Sequence, residues 1–68
     1  MPIVRVTLIE NRTAQQKQAA AKDITEALIK HCGAHADHIY VVFEDVNPDD
    51  WVIAGETITE RRRQRGET

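Results

Sequence analysis

Cysteine is nearly missing from this chain of 68 residues: one thiol, Cys32, has no partner within the chain, so no disulfide framework holds so small a domain together. That usage suits a reducing compartment. Long apolar runs are missing as well. No stretch approaches the ~20 consecutive apolar residues that a membrane-spanning helix requires, and the first residues lack the basic, then apolar, then small-residue layout of a secretory signal. The expectation is a cytoplasmic protein with no membrane partner. Neither sign of charge dominates: the formal net charge is -2, which argues against a general nucleic-acid binder. Low-complexity linkers and internal repeats are absent too, so residues 1–68 read as one domain, with a basic tail over about 59–68 expected to be a solvated terminus.

A chain of this length buries only about 60% of the surface its unfolded form exposes, so its own core is marginal. With no disulfide to staple it, the remaining means of stabilisation is a partner. Homo-oligomerisation is therefore expected from size and composition alone.

What is present falls into strand, helix, strand. PIVRVTLIE is rich in Ile and Val and predicts a strand, with Val4, Val6 and Leu8 on one face and Ile3, Arg5, Thr7 and Ile9 on the other. Apolar residues on both faces suit a strand of a parallel sheet, covered on both sides. In ENRTAQQKQ, Thr13 and Gln16 stand at capping-box spacing and predict a helix from Ala14 to about Cys32. Its buried face is expected to carry Ala20, Ile24, Ala27, Leu28 and His31 or Cys32, and Gly33 fits the left-handed C-cap. HIYVVFEDV predicts the second strand. A helix of about 18 residues spans about 27 Å, enough to run back along a strand of about 25 Å, so the strands pair in parallel as a right-handed βαβ unit. One helix covers one face of two strands; the other face and both edges need cover from other chains. In NPDDWVIAGET, turn residues precede a short apolar piece, expected to form a hairpin or arm that reaches a neighbouring subunit with Trp51 at its root.

Pro2 raises a chemical question. Proline is poor strand material except at a first position, because it has no amide proton for the ladder. If Met1 is removed, Pro2 becomes a free secondary amine at the chain terminus. An α-amine has an ordinary pKa of about 7.7 to 8.0, and desolvation or a nearby cation lowers it toward the range useful for a general base. Ile3 and Trp51 offer the first influence and Arg12 the second. A retained Met1 would instead make the Pro2 nitrogen a tertiary amide with no basic lone pair.

PIVRVTLIENRT, the helix ending in HCGA, the strand IYVVFEDV and the turn DDWVIAGET together resemble the 4-oxalocrotonate tautomerase family, over Pro2 to about Glu56. The resemblance implies an α/β fold of one βαβ unit with a short C-terminal hairpin or arm. It also implies pairing of subunits into four-stranded sheets and a hexamer built as a trimer of dimers. It further implies a cofactor-independent keto-enol isomerase, with no metal, acting on a small enol or 2-oxo acid with Pro2 as general base, Arg12 on a substrate carboxylate and Trp51 lining the apolar part of the site. Guanidinium and carboxylate form bidentate pairs, in agreement with the role of Arg12. Tyr40 stands where the family carries a second arginine, and offers one neutral hydrogen bond to an oxyanion in its place. Val52 and Ala54 stand where glycines are usual.

Other classes remain open on the sequence. Tyr40 and a retained Met1 would suit an inactive oligomeric binding or structural homologue. Glu10, Glu44 and Asp45 leave room for a hydratase or dehalogenase relative. Arg61, Arg62, Arg63 and Arg65 would suit a salt-sensitive nucleic-acid contact. His31, His35 and His38 fit no closed zinc pattern and are read as loop and capping residues.

Overall fold

The structure is a computed structural model that describes residues 1–66. Its elements in chain order are β1 (Ile3–Ile9), α1 (Ala14–Cys32), β2 (Tyr40–Val46), β3 (Val52–Ile53), β4 (Glu56–Thr57) and α2 (Ile58–Gln64). β1 and β2 pair in parallel without a slip, from Ile3 opposite Tyr40 to Ile9 opposite Val46. The crossover between them is α1, whose start is fixed by Thr13: its hydroxyl accepts from the Gln16 amide at 3.0 Å while the Gln16 side chain accepts from the Thr13 amide at 2.9 Å. Gly33 ends the helix in the left-handed region at φ 65, where a Cβ would be strained.

Strand alternation divides the sheet. Val4, Val6 and Leu8 of β1 with Val41 and Phe43 of β2 are half-buried, whereas Ile3, Arg5, Thr7, Tyr40, Val42 and Glu44 form an exposed face. The helix presents a different stripe from the expected one. Lys17, Ala21, Ile24 and Leu28 are half-buried, while Ala20, Ala27, His31 and Cys32 stay exposed. Ile24 and Leu28 belong to both stripes. The turn of the helix toward Lys17 is accompanied by an ion pair from its ammonium to Asp45 at 2.5 Å, and the aliphatic stem of lysine covers apolar surface on the way.

After β2 the chain forms an arm knit largely by its own contacts. The Asn47 side chain accepts from the Asp49 amide at 2.9 Å and caps a single 3-10 turn, Pro48–Asp50. The Thr59 hydroxyl donates to the Asp49 carboxylate, and the Ile58 amide donates to the Trp51 carbonyl at 2.8 Å. β3 and β4 form a hairpin across Ala54 and Gly55, at φ 53 and 82, the positive pair that marks a type I′ turn.

The basic tail differs from the solvated terminus expected. Through Gln64 it is helical, because Thr57 accepts from the Glu60 amide at 3.0 Å and starts α2. Arg61 donates to the Ile53 carbonyl at 3.3 Å and Gln64 to Glu56 at 2.8 Å, tying the helix to the hairpin. The last two residues of that tail, 67 and 68, lie outside the described residues.

Among the described residues only Ile39 and Ile58 are buried, each still 9% exposed, and no side chain is fully buried. The radius of gyration is 15.7 Å, against about 11 Å for a compact chain of this length. The solvent-accessible surface is 5343 Å², roughly 1,000 Å² more than the ~4,300 Å² of a folded monomer of this mass. Ile3, Tyr40, Val42, Val52 and Ile53 contribute to that excess. A two-stranded sheet so exposed needs another surface over it to persist in water.

Candidate functional site

β1 carries Pro2 and Arg12 at its opposite ends. At the N-terminal end, Pro2 is half-buried and its carbonyl accepts the first inter-strand hydrogen bond, from the Tyr40 amide at 3.0 Å. The Pro2 nitrogen has no place in the ladder, which begins at Ile3. Met1 before it is 79% exposed. Tyr40 lies beside Pro2 in the neighbouring strand, on the open face opposite Ile3.

Arg12 follows the other end of β1. The chain leaves the strand through Asn11 at φ 105, and Thr13 then caps α1, so Arg12 is held in a short connection between two fixed elements. Its guanidinium donates to the Ile9 carbonyl at 3.4 Å and is otherwise exposed. The Glu10 amide closes the same end of the sheet by donating to the Val46 carbonyl at 3.0 Å. Trp51, half-buried, follows that end of β2 at the root of the arm.

One chain therefore joins Pro2 to Tyr40 and leaves Arg12 at the other end. Seven residue steps at 3.3 Å put about 23 Å between Pro2 and Ile9, whose carbonyl the Arg12 guanidinium contacts. No carboxylate held by Arg12 of one chain reaches the Pro2 amine of the same chain unless it is far larger than a small acid.

The carboxylates considered for water activation stand away from Pro2. Glu44 accepts from the Thr7 hydroxyl at 3.3 Å, and Asp45 is engaged by Lys17. His35 and His38 face each other with ring centroids 5.4 Å apart, and among the described residues no three His, Cys, Asp or Glu side chains converge as a metal-binding group. Arg61 lies 3.8 Å from Glu56, and Arg63 donates to Glu60 at 3.0 Å, so both arginines have acidic partners within the arm. No helix among the described residues is long and apolar enough to cross a membrane.

Arg5, read from the sequence only as a polar member of a strand face, stands exposed in β1.

Comparison with known proteins places this architecture. Residues 2–61 match the family described as "Tautomerase enzyme". A probable tautomerase of Ralstonia nicotianae is 47% identical over 55 residues, covering 81% of this chain and 85% of the relative. Among solved structures, TomN, a 4-oxalocrotonate tautomerase homologue in the tomaymycin biosynthetic pathway, superposes with a TM-score of 0.87 at 32% identity, covering 91% of this chain and 95% of its own. A heterohexameric 4-oxalocrotonate tautomerase from Chloroflexus aurantiacus J-10-fl shares the fold, with a TM-score of 0.81 at 23% identity over 88% of this chain and 97% of its own. With a βαβ unit, a C-terminal hairpin and a family match over nearly its whole length, the chain belongs to the tautomerase family.

Proposed function

We propose that this protein is a cofactor-independent keto-enol tautomerase of small enol or 2-oxo acids, with the Pro2 amine as proton carrier once Met1 is removed. The observation that carries the proposal is the position of Pro2. Its nitrogen does no structural work, its carbonyl is tied to Tyr40, and the residue before it is exposed, so loss of Met1 frees an amine without disturbing the sheet.

The reaction follows from that amine. The Pro2 nitrogen takes the proton of an enol hydroxyl, the oxygen lone pair forms the carbonyl, and the carbon-carbon π pair moves to the distal carbon. The Pro2 ammonium returns its proton to that carbon, so proton and charge balance within one turnover. Arg12 holds a carboxylate of the acid through its two parallel donors, the Tyr40 hydroxyl donates to the oxygen that becomes the carbonyl, and Trp51 shields the apolar part.

The separation of Pro2 and Arg12 along β1 supports a site that draws them from different subunits. The proposed assembly is a homohexamer of paired subunits, supported by the uncovered sheet face, the exposed hairpin strand β3 and the family fold. An exposed, unpaired Cys32 suits the reducing environment of the cytoplasm.

Intact mass of the purified protein and ketonisation of 2-hydroxymuconate and phenylenolpyruvate test this reading together. The expected result is a mass lacking Met1, with Pro2→Ala lowering kcat by about 10²- to 10⁴-fold, the usual contribution of a positioned acid-base group. Undiminished turnover in Pro2→Ala overturns the mechanism. A mature protein that retains Met1 makes the chain a catalytically silent assembly.

A further inference from the structure

The connection between α1 and β2 brings together two imidazoles that the proposed proton transfer does not use. His35 caps a single 3-10 turn, Ala36–His38, whose last residue is His38. The His38 amide donates to the His35 carbonyl at 2.9 Å, and the Ile39 amide to the Ala36 carbonyl at 3.2 Å. In a turn of this kind side chains three residues apart eclipse, so both rings leave the backbone on one side. Their centroids stand 5.4 Å apart, with the ring planes inclined at 37°. Both residues are exposed, and among the described residues neither ring makes a hydrogen bond or an ion pair.

That separation matches a pair of rings on one metal ion. A late transition metal sits about 2.1 Å from an imidazole nitrogen, hence about 3.2 Å from the ring centroid, and two such rings at a tetrahedral angle have centroids about 5.2 Å apart. Rotation about χ2, which is broad for histidine, turns one nitrogen of each ring toward the shared point. The position gives binding a consequence for the sheet. Ile39, which is buried, follows His38 directly, and the Tyr40 amide after it donates to the Pro2 carbonyl at 3.0 Å. An ion held by both rings braces the turn from which β2 starts.

We infer that His35 and His38 form a two-histidine binding site for a late divalent transition metal, Ni²⁺ or Zn²⁺, with water in the remaining positions. Imidazole nitrogen suits these ions, whereas Mg²⁺ and Ca²⁺ take oxygen donors. His31 and Cys32 at the end of α1 take no part, since among the described residues no third His, Cys, Asp or Glu converges with the pair. Among the same residues no carboxylate or carbonyl holds the far side of either ring, so the ion is exchangeable rather than built in. The site does not depend on the chemistry proposed for Pro2.

Calorimetric titration of the untagged protein with NiCl2, ZnCl2 and MgCl2 tests the assignment, with circular dichroism and native mass recorded for every variant. One Ni²⁺ or Zn²⁺ per chain is expected, and no binding of Mg²⁺. His35→Ala and His38→Ala are each expected to weaken Ni²⁺ binding by at least about 10-fold, since loss of even an outer partner costs a metal site that much. Asp37→His combined with His38→Asp keeps two histidines in the turn but moves one off the shared side, and is expected to lose as much. His31→Ala combined with Cys32→Ser is expected to bind as the wild type does. His35→Gln and His38→Gln, which keep a polar side chain without the ring, replace any alanine variant that loses its circular dichroism. Failure of the wild type to bind Ni²⁺ and Zn²⁺ overturns the site. So does undiminished binding in the His35 or His38 variants, or in the variant that exchanges residues 37 and 38. A loss confined to the His31 and Cys32 variant moves the metal to the end of α1, and equal binding of Mg²⁺ makes the donors carboxylates; either result overturns the inference.

Discussion

Mixing two inactive variants is expected to restore activity. Pro2→Ala exchanges the secondary amine for a primary α-amine without the pyrrolidine ring, and Arg12→Ala removes the carboxylate-binding cation, at points that the length of β1 holds about 23 Å apart in one chain. If each site takes its Pro2 from one subunit and its Arg12 from another, random reassembly of equal amounts gives a site intact Pro2 half the time and intact Arg12 half the time. Both coincide in about one quarter of sites, because every subunit of a symmetric assembly contributes to more than one interface. The parents retain little: loss of the base costs about 10²- to 10⁴-fold, and loss of a charge-assisted carboxylate pair about 10- to 100-fold. Their average is about 5% of wild type or less, against about 25% for the mixture. The assay is ketonisation per subunit after the two variants are unfolded and refolded together. A mass label on one variant, read by native mass spectrometry, proves that subunits have exchanged. Exchanged assemblies that show only the mean activity of the parents would refute the division of the site between subunits.

Four further outcomes follow from the same structure. Ala54 occupies the left-handed region at φ 53 in a two-residue turn before Gly55, and Ala54→Asn, the residue that type I′ turns favour, is expected to stabilise the protein by about 0.5–1 kcal/mol, read as a higher Tm in calorimetry. Ile58 is one of two buried side chains among the described residues; Ile58→Ala is expected to cost about 2 kcal/mol and to loosen the arm, read as a lower native mass on dilution. Thr13→Ala removes the hydroxyl arm of the capping box of α1 and leaves the residue 13 amide free to donate to Gln16; it is expected to cost about 1 kcal/mol, read from the urea midpoint. Serial dilution of the wild type is expected to lose helical circular dichroism and catalytic activity at the same protein concentration, since a chain with so small a core is folded only in company. Retention of full helicity by dilute monomer contradicts that coupling.

The backbone of the fold was legible wherever a local rule had one solution. Thr13 with Gln16 and Gly33 set the two ends of α1 because caps depend on a few neighbouring residues. The parallel pairing of β1 and β2 was legible because one helix of that length has few other ways back. The buried stripe of α1 was not. Alanine occurs at 14, 19, 20, 21 and 27, so rotation by part of a turn keeps an apolar face, and the choice between Ala20 and Ala21 falls to the Lys17 to Asp45 contact, which is 28 residues apart in sequence. The helix in the basic tail was hidden by its arginines, although Thr57 and Glu60 stand at capping-box spacing. Only half of that box is made, since Glu60 turns to Arg63. Pro2, Tyr40, Arg12 and Trp51 were put together as a set by resemblance alone, and their division between the two ends of a strand became visible only with the register.

The weakness of the lone chain and the proposed chemistry have a common origin. In a single chain Pro2 is only half-buried, and an α-amine in contact with water is mostly protonated at neutral pH. A neighbouring subunit placed over the sheet buries apolar surface that the chain cannot cover by itself, and so stabilises the fold. The same burial desolvates the amine and, in the proposed site, brings Arg12 toward it; both changes disfavour the ammonium form and make the nitrogen a base. In the proposed site, assembly is then the step that makes the amine a base.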